Sequence, residues 1–214
     1  MIEEELSLSR DEALAAGVLI LAPGARVSPS IRVVPREDDG TDHGPVEIGE
    51  DTIVREGVVL STGTRLGRNV MVGHNCVIRR CFTIGDNSML SHLVSVQHDV
   101  TVGSLSRISS LTHLAGGTLI EDRVQIGANV ATVDSNAMRW PEKDKQKTLL
   151  RGPIFRRGCR VGSGTTILSG VEIGRNTMIG AGSTVTRDMP EGVVAYGNPA
   201  YVQRDRHDIP DHLK

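Results

Sequence analysis

His98 and Asp99 stand side by side, two residues past Val96, in a chain whose aliphatic residues recur with a fixed period. An imidazole so placed can take a proton from an attacking hydroxyl or ammonium, with Asp99 or a nearby carbonyl fixing its tautomer. The same placement suits a solvated surface imidazole. Glu56, His74 and His92 are spaced eighteen apart, each two residues past an aliphatic position, and can form either a metal-binding column or a plain polar ladder. The polar ladder is the simpler reading, so no metal is expected. His113 precedes Leu114 and should face outward from a flat wall, open to an acceptor, another subunit or solvent.

A second group lies toward the C-terminus. Arg157-Gly158-Cys159-Arg160-Val161-Gly162-Ser163-Gly164, Ile179-Gly180-Ala181-Gly182-Ser183-Thr184-Val185-Thr186-Arg187-Asp188 and Gly197-Asn198-Pro199-Ala200 combine small residues with cations. Small residues let an extended ligand lie against backbone amides while cations meet phosphates. They also satisfy tight corners, although a Gly-Asn-Pro exit is not something corners require. No glycine-rich phosphate loop precedes a helix and no serine sits in a nucleophile elbow, so no covalent acyl-enzyme is expected.

What positions these residues is a period of six. From Ile48 through Val54, Leu60, Leu66, Val72, Ile78, Ile84, Leu90, Val96, Val102, Ile108, Leu114 and Ile120 to Ile126, fourteen successive positions are aliphatic. Four residues after each anchor the side chain is small or β-branched, with Phe82 the exception. Six is neither the helical period nor that of a lone strand, so it marks a supersecondary unit that repeats and stacks. Three hexads close a triangular turn, residues eighteen apart stack at roughly 4.8 Å, and the anchors fill a narrow prism. Gly49, Gly67, Gly73, Gly85, Gly103 and Gly127 directly follow anchors, where they are expected to relieve backbone strain.

The composition agrees. Aromatic residues are only 2 % of the chain, which suits a prism too thin for large rings. The net charge of −2, with both signs interspersed, lacks the basic field of a nucleic-acid or anionic-membrane partner. Three cysteines without CxxC spacing, Cys76 and Cys159 in interior slots and Cys81 near a corner, read as inert reduced thiols. With no apolar run of signal or membrane length, the expectation is a soluble cytoplasmic protein with neither nucleic-acid nor membrane partner.

Ser9-Arg10-Asp11-Glu12 has the spacing of a capping box, and Gly17 is a helix stop, so residues 1–17 are expected to form a helical cap. Residues 18–188 form the repeat domain, with loops at 35–45 and 133–153 where the register lapses. It returns at Phe155, Val161, Ile167, Ile173, Ile179 and Val185. The second loop carries Asp134, Asn136, Arg139, the single Trp140, Lys143, Lys145, Lys147 and Arg151; long loops on rigid scaffolds tend to bind. Residues 189–214 read as an irregular C-terminal extension.

On these repeats, from about Leu21 to Val185, the chain resembles the hexapeptide-repeat acyltransferases, which implies an all-β, left-handed parallel β-helix and a homotrimer with sites between subunits. His98-Asp99, followed by a hexad and Leu114-Ala115-Gly116, resembles the stretch holding the general base in UDP-N-acetylglucosamine O-acyltransferases and sugar-nucleotide N-acetyltransferases. That implies His98 as base with Asp99 as its acidic neighbour. Arg107 stands where several of those enzymes carry a further histidine, which places Arg107 and His113 among the acceptor contacts. Galactoside and maltose acetyltransferases keep their histidine in the loop after the middle coils; Val133-Asp134-Ser135-Asn136 has none, so that mechanism is not expected. Asn136 instead resembles the asparagine of amine N-acetyltransferases, and Trp140 joins it as an acceptor contact. The C-terminal motifs resemble the terminal coils of acetyl-CoA-dependent members, which implies CoA contacts from Ser163, Ala181, Thr186, Arg187 and Arg204. Tyr201 stands where many relatives have an arginine. The implied acceptor is a small molecule, a sugar or sugar nucleotide. The rival readings are a γ-carbonic-anhydrase-like zinc enzyme and a non-catalytic β-helix scaffold.

Overall fold

The computed structural model describes residues 7–36, 41, 43–136 and 150–206. Each hexad forms a two-residue strand and a corner: the anchor points inward, the residue before it outward, and the next four turn the chain. Three parallel sheets result. Wall I has nine strands from Leu8–Ser9 to Thr184–Val185, wall II eight from Leu19–Leu21 to Glu172–Ile173, and wall III ten beginning at Arg26–Val27. Val77 pairs with Val59 below and Ser95 above, and Met89 with Met71 and Arg107, so outside the two inserted loops the register advances by one eighteen-residue coil.

All fourteen anchors from Ile48 to Ile126 are buried, as are the six that resume at Phe155. Each such side chain contributes about 1.5–3 kcal/mol of burial. The interior slots also close: Phe82 is fully buried, and the other slots hold buried Val, Ser, Thr or Cys. The hydroxyls stitch coil to coil. Ser88 Oγ donates to Gly103 O (2.9 Å) and accepts from Ser106 N–H (3.0 Å); Ser106 Oγ donates to Glu121 O (3.1 Å) and accepts from Val124 N–H (3.1 Å). Among the described residues no buried side-chain polar atom lacks a partner. Cys76 and Cys159 occupy such slots as free, buried thiols, and burial pushes both up from the ordinary thiol range.

The glycines that follow anchors do not relieve backbone strain as expected. Positive φ falls two residues later, at Asp51, Asn69, Asn75, Asn87, Leu93, Asp99, Leu105 and Leu111 among others. The glycines serve close approach: a Cβ on Gly73 would lie 2.6 Å from Ser91 C, and one on Gly127 2.6 Å from Ser163 N. Corners of successive coils touch through bare backbone.

At the N-terminus Ser9 and Glu12 form the capping box of helix α1, Arg10–Ala15. Ala13 is fully buried, and Leu8–Ser9 pairs antiparallel with the strand Arg32–Val34. The sequence gave no sign of this added strand. The C-terminal segment is not irregular through residue 205. Val193–Gly197 continues wall III beside Met178–Ile179, and Ala200–Asp205 folds back on it antiparallel, with a cis Asn198–Pro199 bond in the turn. Val193, Val194 and Ala195 are buried, so this strand closes the prism without needing a full hexad.

The long loop leaves after Ala131–Thr132 and rejoins at Ile154–Phe155, which pairs with Leu119–Ile120 as a continuous coil would. Its neck is closed by Arg151 N–H to Asp134 O (2.9 Å) and by Ser169 Oγ, which is 2.9 Å from both Asp134 O and Arg151 O. Arg156 then pins the returning strand to coils below and above, bonding Glu121 (2.9 Å) and both oxygens of Glu172 (2.8 Å each). Hydrogen bonds from Arg156 hold the Glu172 carboxyl below its ordinary range. At Glu121 burial acts upward, but Arg156 and the Arg157 N–H outweigh it and the net shift is also down.

Replacing Ser106 with Ala strands the buried Val124 N–H and should lower stability by about 1–3 kcal/mol, read as a drop in Tm with unchanged circular dichroism. The Arg156 clamp gives a pH signature. Carboxyls whose folded pKa is depressed add stability above the unfolded value, near 4.3, and lose it as pH falls through the folded one. The Tm gap between wild type and Arg156→Gln should be present at pH 7 and shrink below about pH 4; a gap that stays constant to pH 3 would show that Arg156 acts by packing alone.

Candidate active site

His98 lies at the corner where wall I turns into wall II, its side chain 25 % exposed. Asp99 holds the left-handed position of that corner, φ 59°, a conformation Asp tolerates better than most residues. Asp99 Oδ2 is 2.9 Å from His98 Nδ1. A carboxylate only accepts, so Nδ1 carries a proton, and in the neutral ring the lone pair is on Nε2.

The Cε1–Nε2 edge of the ring lies against the next coil. A Cβ on Gly116 would lie 2.9 Å from His98 Cε1, 3.1 Å from Nε2 and 3.2 Å from Asp134 Oδ2. The bare Gly116 Cα therefore lets an imidazole and a second carboxylate pack against one buried backbone position that has no room for a Cβ. Asp134 is fixed there because its Oδ2 accepts the Gly116 N–H at 3.2 Å and its carbonyl closes the loop neck. Above it on the same corner come Ser169 and then Arg187, whose guanidinium stands 5.0 Å over the Tyr201 ring. Four strand spacings separate His98 from Arg187, about 19 Å along the prism.

The remaining candidates border this wall or lie elsewhere. His113 is on wall I, between Ser95 and Ala131, half-buried and facing outward as expected. Ser163 and Ala181 stack at the opposite edge of wall I, where Ser163 Oγ accepts the Ala128 N–H (3.1 Å) and Ala181 touches Gly162. Thr186 and Arg187 are at the His98 edge. Between the two edges the upper face of wall I presents Ala131, Thr166 and Thr184, all short. Asn136 Oδ1 accepts the Ser169 N–H at 3.3 Å, so its side chain braces the loop against the coil. Arg204 is on the C-terminal hairpin opposite Val194. Arg107 is on wall III, beside Gln125 and Arg160 in a shallow groove of about 330 Å³, and the chain does not bring it to His98. Trp140 lies outside the described residues.

Glu56, His74 and His92 stack at the corner between walls III and I, as their spacing implies. His74 Nε2 is 2.8 Å from Glu56 Oε2, His74 Nδ1 is 3.0 Å from His92 Nδ1, and the rings are 4.9 Å apart at 18°. The ring nitrogens that face one another are used within the ladder. Among the described residues no three His, Cys, Asp or Glu side chains gather as a metal site.

Sequence reasoning passed over Asp134 and Gly116 as partners of His98. The signal was present: 98, 116 and 134 differ by one coil each, and the register lapses only at Val133.

The family model for bacterial transferase hexapeptide repeats matches residues 45–80 and 152–187. A galactoside O-acetyltransferase of Lactococcus lactis is 52 % identical over 99 residues, 42 % of this chain and 48 % of the relative. A dTDP-3-amino-3,6-dideoxy-α-D-galactopyranose 3-N-acetyltransferase of Aneurinibacillus thermoaerophilus is 46 % identical over 50 residues, 23 % of this chain and 26 % of the relative. The bifunctional protein GlmU of Geotalea daltonii is 31 % identical over 202 residues, 81 % of this chain and 42 % of the relative. In each case the match spans less than half of the relative's length. Among solved structures, the UDP-N-acetylglucosamine acyltransferase of Bacteroides fragilis superposes with a TM-score of 0.65 at 13 % identity, covering 92 % of this chain and 78 % of that one. The Arabidopsis UDP-N-acetylglucosamine acyltransferase gives 0.61 at 18 %, covering 88 % and 65 %. With the repeats matched by sequence and the prism by superposition, the chain is a hexapeptide-repeat protein folded as a left-handed parallel β-helix.

Proposed function

We propose that the chain is an acetyltransferase that moves an acetyl group from acetyl-CoA to an amine or hydroxyl of a sugar or nucleotide-linked amino sugar. The observation that carries this reading is His98, a partly exposed corner imidazole whose Nδ1 is held by Asp99 at 2.9 Å and whose Nε2 edge rests on Gly116. The relatives named as a galactoside O-acetyltransferase and a dTDP-amino-sugar N-acetyltransferase support the sugar acceptor.

In this reading acetyl-CoA lies along the upper face of wall I. Ser163 and Ala181 border it on one edge and Thr186 and Arg187 on the other, while Arg204 on the hairpin adds a cation for phosphate. The 19 Å between Arg187 and His98 suits an extended pantetheine arm, which delivers the thioester to the His98 corner. His98 Nε2 takes the acceptor proton as nitrogen or oxygen attacks the carbonyl carbon, a backbone N–H holds the oxyanion, and the CoA thiolate leaves. His113, lower on wall I, and Asn136 at the loop neck bound the acceptor side. The working form is a homotrimer with wall I between subunits. Free, raised-pKa thiols at Cys76 and Cys159 suit a cytoplasmic setting, and among the described residues no helix is long and apolar enough to cross a membrane.

Calorimetric titration with acetyl-CoA, CoA and a carrier-bound acyl donor tests the donor assignment: acetyl-CoA and CoA should bind, and no binding by a folded trimer would overturn the reading. His98→Ala should reduce turnover by roughly 10²-fold or more with acetyl-CoA affinity preserved. Gly116→Ala places a methyl against His98 and Asp134 without backbone strain. Turnover should fall about tenfold or more while Tm moves little, because a misplaced base loses rate faster than it loses packing. Equal activity in Gly116→Ala would mean that the reaction does not depend on where the His98 ring rests.

A further inference from the structure

We infer that Arg79, Arg80 and the Gln97 amide form an anion subsite one coil below His98, which selects an acceptor carrying phosphate, as a nucleotide-linked sugar does; this rests on the acetyltransferase reading above. Ile78 pairs with Val96 across successive coils, so Arg80 holds the same outward corner position as His98, about 4.8 Å lower along the prism. The Arg80 carbonyl accepts the Asp99 N–H at 3.1 Å, which keeps the two corners in register. Arg79 is drawn closer still. Its Nη1 donates to Gln97 Oε1 at 3.2 Å, and this holds the guanidinium against the residue that precedes His98.

What this edge offers a ligand is donors. Because the Gln97 oxygen is taken by Arg79, its amide nitrogen presents N–H groups, and these have no bond among the described residues. Each guanidinium carries several N–H donors, so the further contacts that Arg79 and Arg80 make still leave some for a ligand. All three side chains are half-buried, which limits how far solvent can screen them. The edge also has a floor. Beneath Arg80 the first inserted loop returns to the corner, where Gly44 O accepts from Thr62 Oγ1 and from the Gly63 N–H (2.9 Å). The subsite is a step between that return and His98.

The sign of the column decides which ligand the step serves. Above His98 the column carries Asp134, bound to the Gly116 N–H. The next cation upward, Arg187, stands about 19 Å above the base. A neutral pantetheine arm can pass Asp134, but a phosphate beside it is repelled. A phosphate close to the base is therefore stabilised below it, on the side away from the donor. In a nucleotide-linked sugar only the ring separates the reacting group from the anomeric phosphate, so one can meet His98 while the other meets the coil beneath. Arginine suits that end of the ligand because its planar fork takes phosphate oxygens two at a time.

The test titrates the chain at pH 7 with dTDP-3-amino-3,6-dideoxygalactose and with the methyl glycoside of the same amino sugar, which lacks the phosphates. The wild type should bind the nucleotide sugar at least tenfold more tightly. Arg79→Gln should weaken that ligand by about 10- to 100-fold and leave the glycoside within threefold. Arg79→Lys should recover part of the loss. Gln97→Glu keeps the bond to Arg79 but sets a carboxylate in the subsite, so it should weaken the nucleotide sugar at least as much. In turnover, Arg79→Gln should raise KM for the nucleotide sugar more than it lowers kcat. Equal wild-type affinity for the two acceptors, no binding of either, or equal loss of both in Arg79→Gln would overturn the assignment. A matching loss of acetyl-CoA affinity in Arg79→Gln would also overturn it, by giving the arginine to the donor. Acetyl-CoA titrated against the wild type separates the two readings: intact donor binding without a preference for the nucleotide sugar sinks the anion subsite alone, and absent donor binding sinks the transferase reading.

Discussion

The backbone hydrogen bonds between successive coils govern everything else in this molecule. They lock residues eighteen apart into one column, and they do so at corners so close that Gly73 and Gly127 have no room for a Cβ. A parallel sheet normally has some latitude in how its connections run; here, outside the two inserted loops, the connections are short corners repeated on top of one another. Side-chain chemistry consequently appears as columns. The Glu56–His74–His92 ladder is one, the slot hydroxyls of Ser88 and Ser106 are another, and the line from His98 over Gly116 to Asp134 is a third.

The thin interior has a second consequence. Aliphatic anchors supply the burial, but a prism this narrow also encloses corner backbone, and buried N–H and C=O groups are costly when unpaired. Serine and threonine in the interior slots answer that cost where valine cannot, which is why the slots are mixed while the anchors are not. The same economy fixes the long loop. Its neck is closed by Asp134 O, Arg151 N–H and the Ser169 hydroxyl, and its return is pinned by Arg156 between Glu121 and Glu172. Asp134, formally the start of a loop, is therefore held as firmly as a coil residue.

The fold was legible because a period of six over fourteen anchors leaves few architectures open. His98 and Asp99 were legible as outward corner residues, and their contact follows from the left-handed conformation of Asp99. The glycines were misread because the sequence shows only where glycine recurs, and the choice between positive φ and close approach depends on the neighbouring coil. The terminal hairpin was hidden because Val193–Gly197 keeps the wall III position without the hexad spacing. Arg107 is the instructive case. It lies nine residues past His98, half a coil, and coil arithmetic alone assigns it to another wall; motif position had grouped the two.

Column arithmetic also sets what the proposed donor contacts would ask of one ligand. Ser163 and Ala181 occupy one edge of wall I and Thr186 and Arg187 the other, so no single corner carries the whole proposed set. A ligand touching both edges has to cross the wall, and Ala131, Thr166 and Thr184 keep that crossing low. A larger outward residue at those three positions would lift the ligand off the wall and away from one edge. Lower down, wall I carries Val59, Val77, Ser95 and His113 outward, so size does not separate the two halves; at the level where the long loop departs, the largest of these, His113, gives way to Ala131.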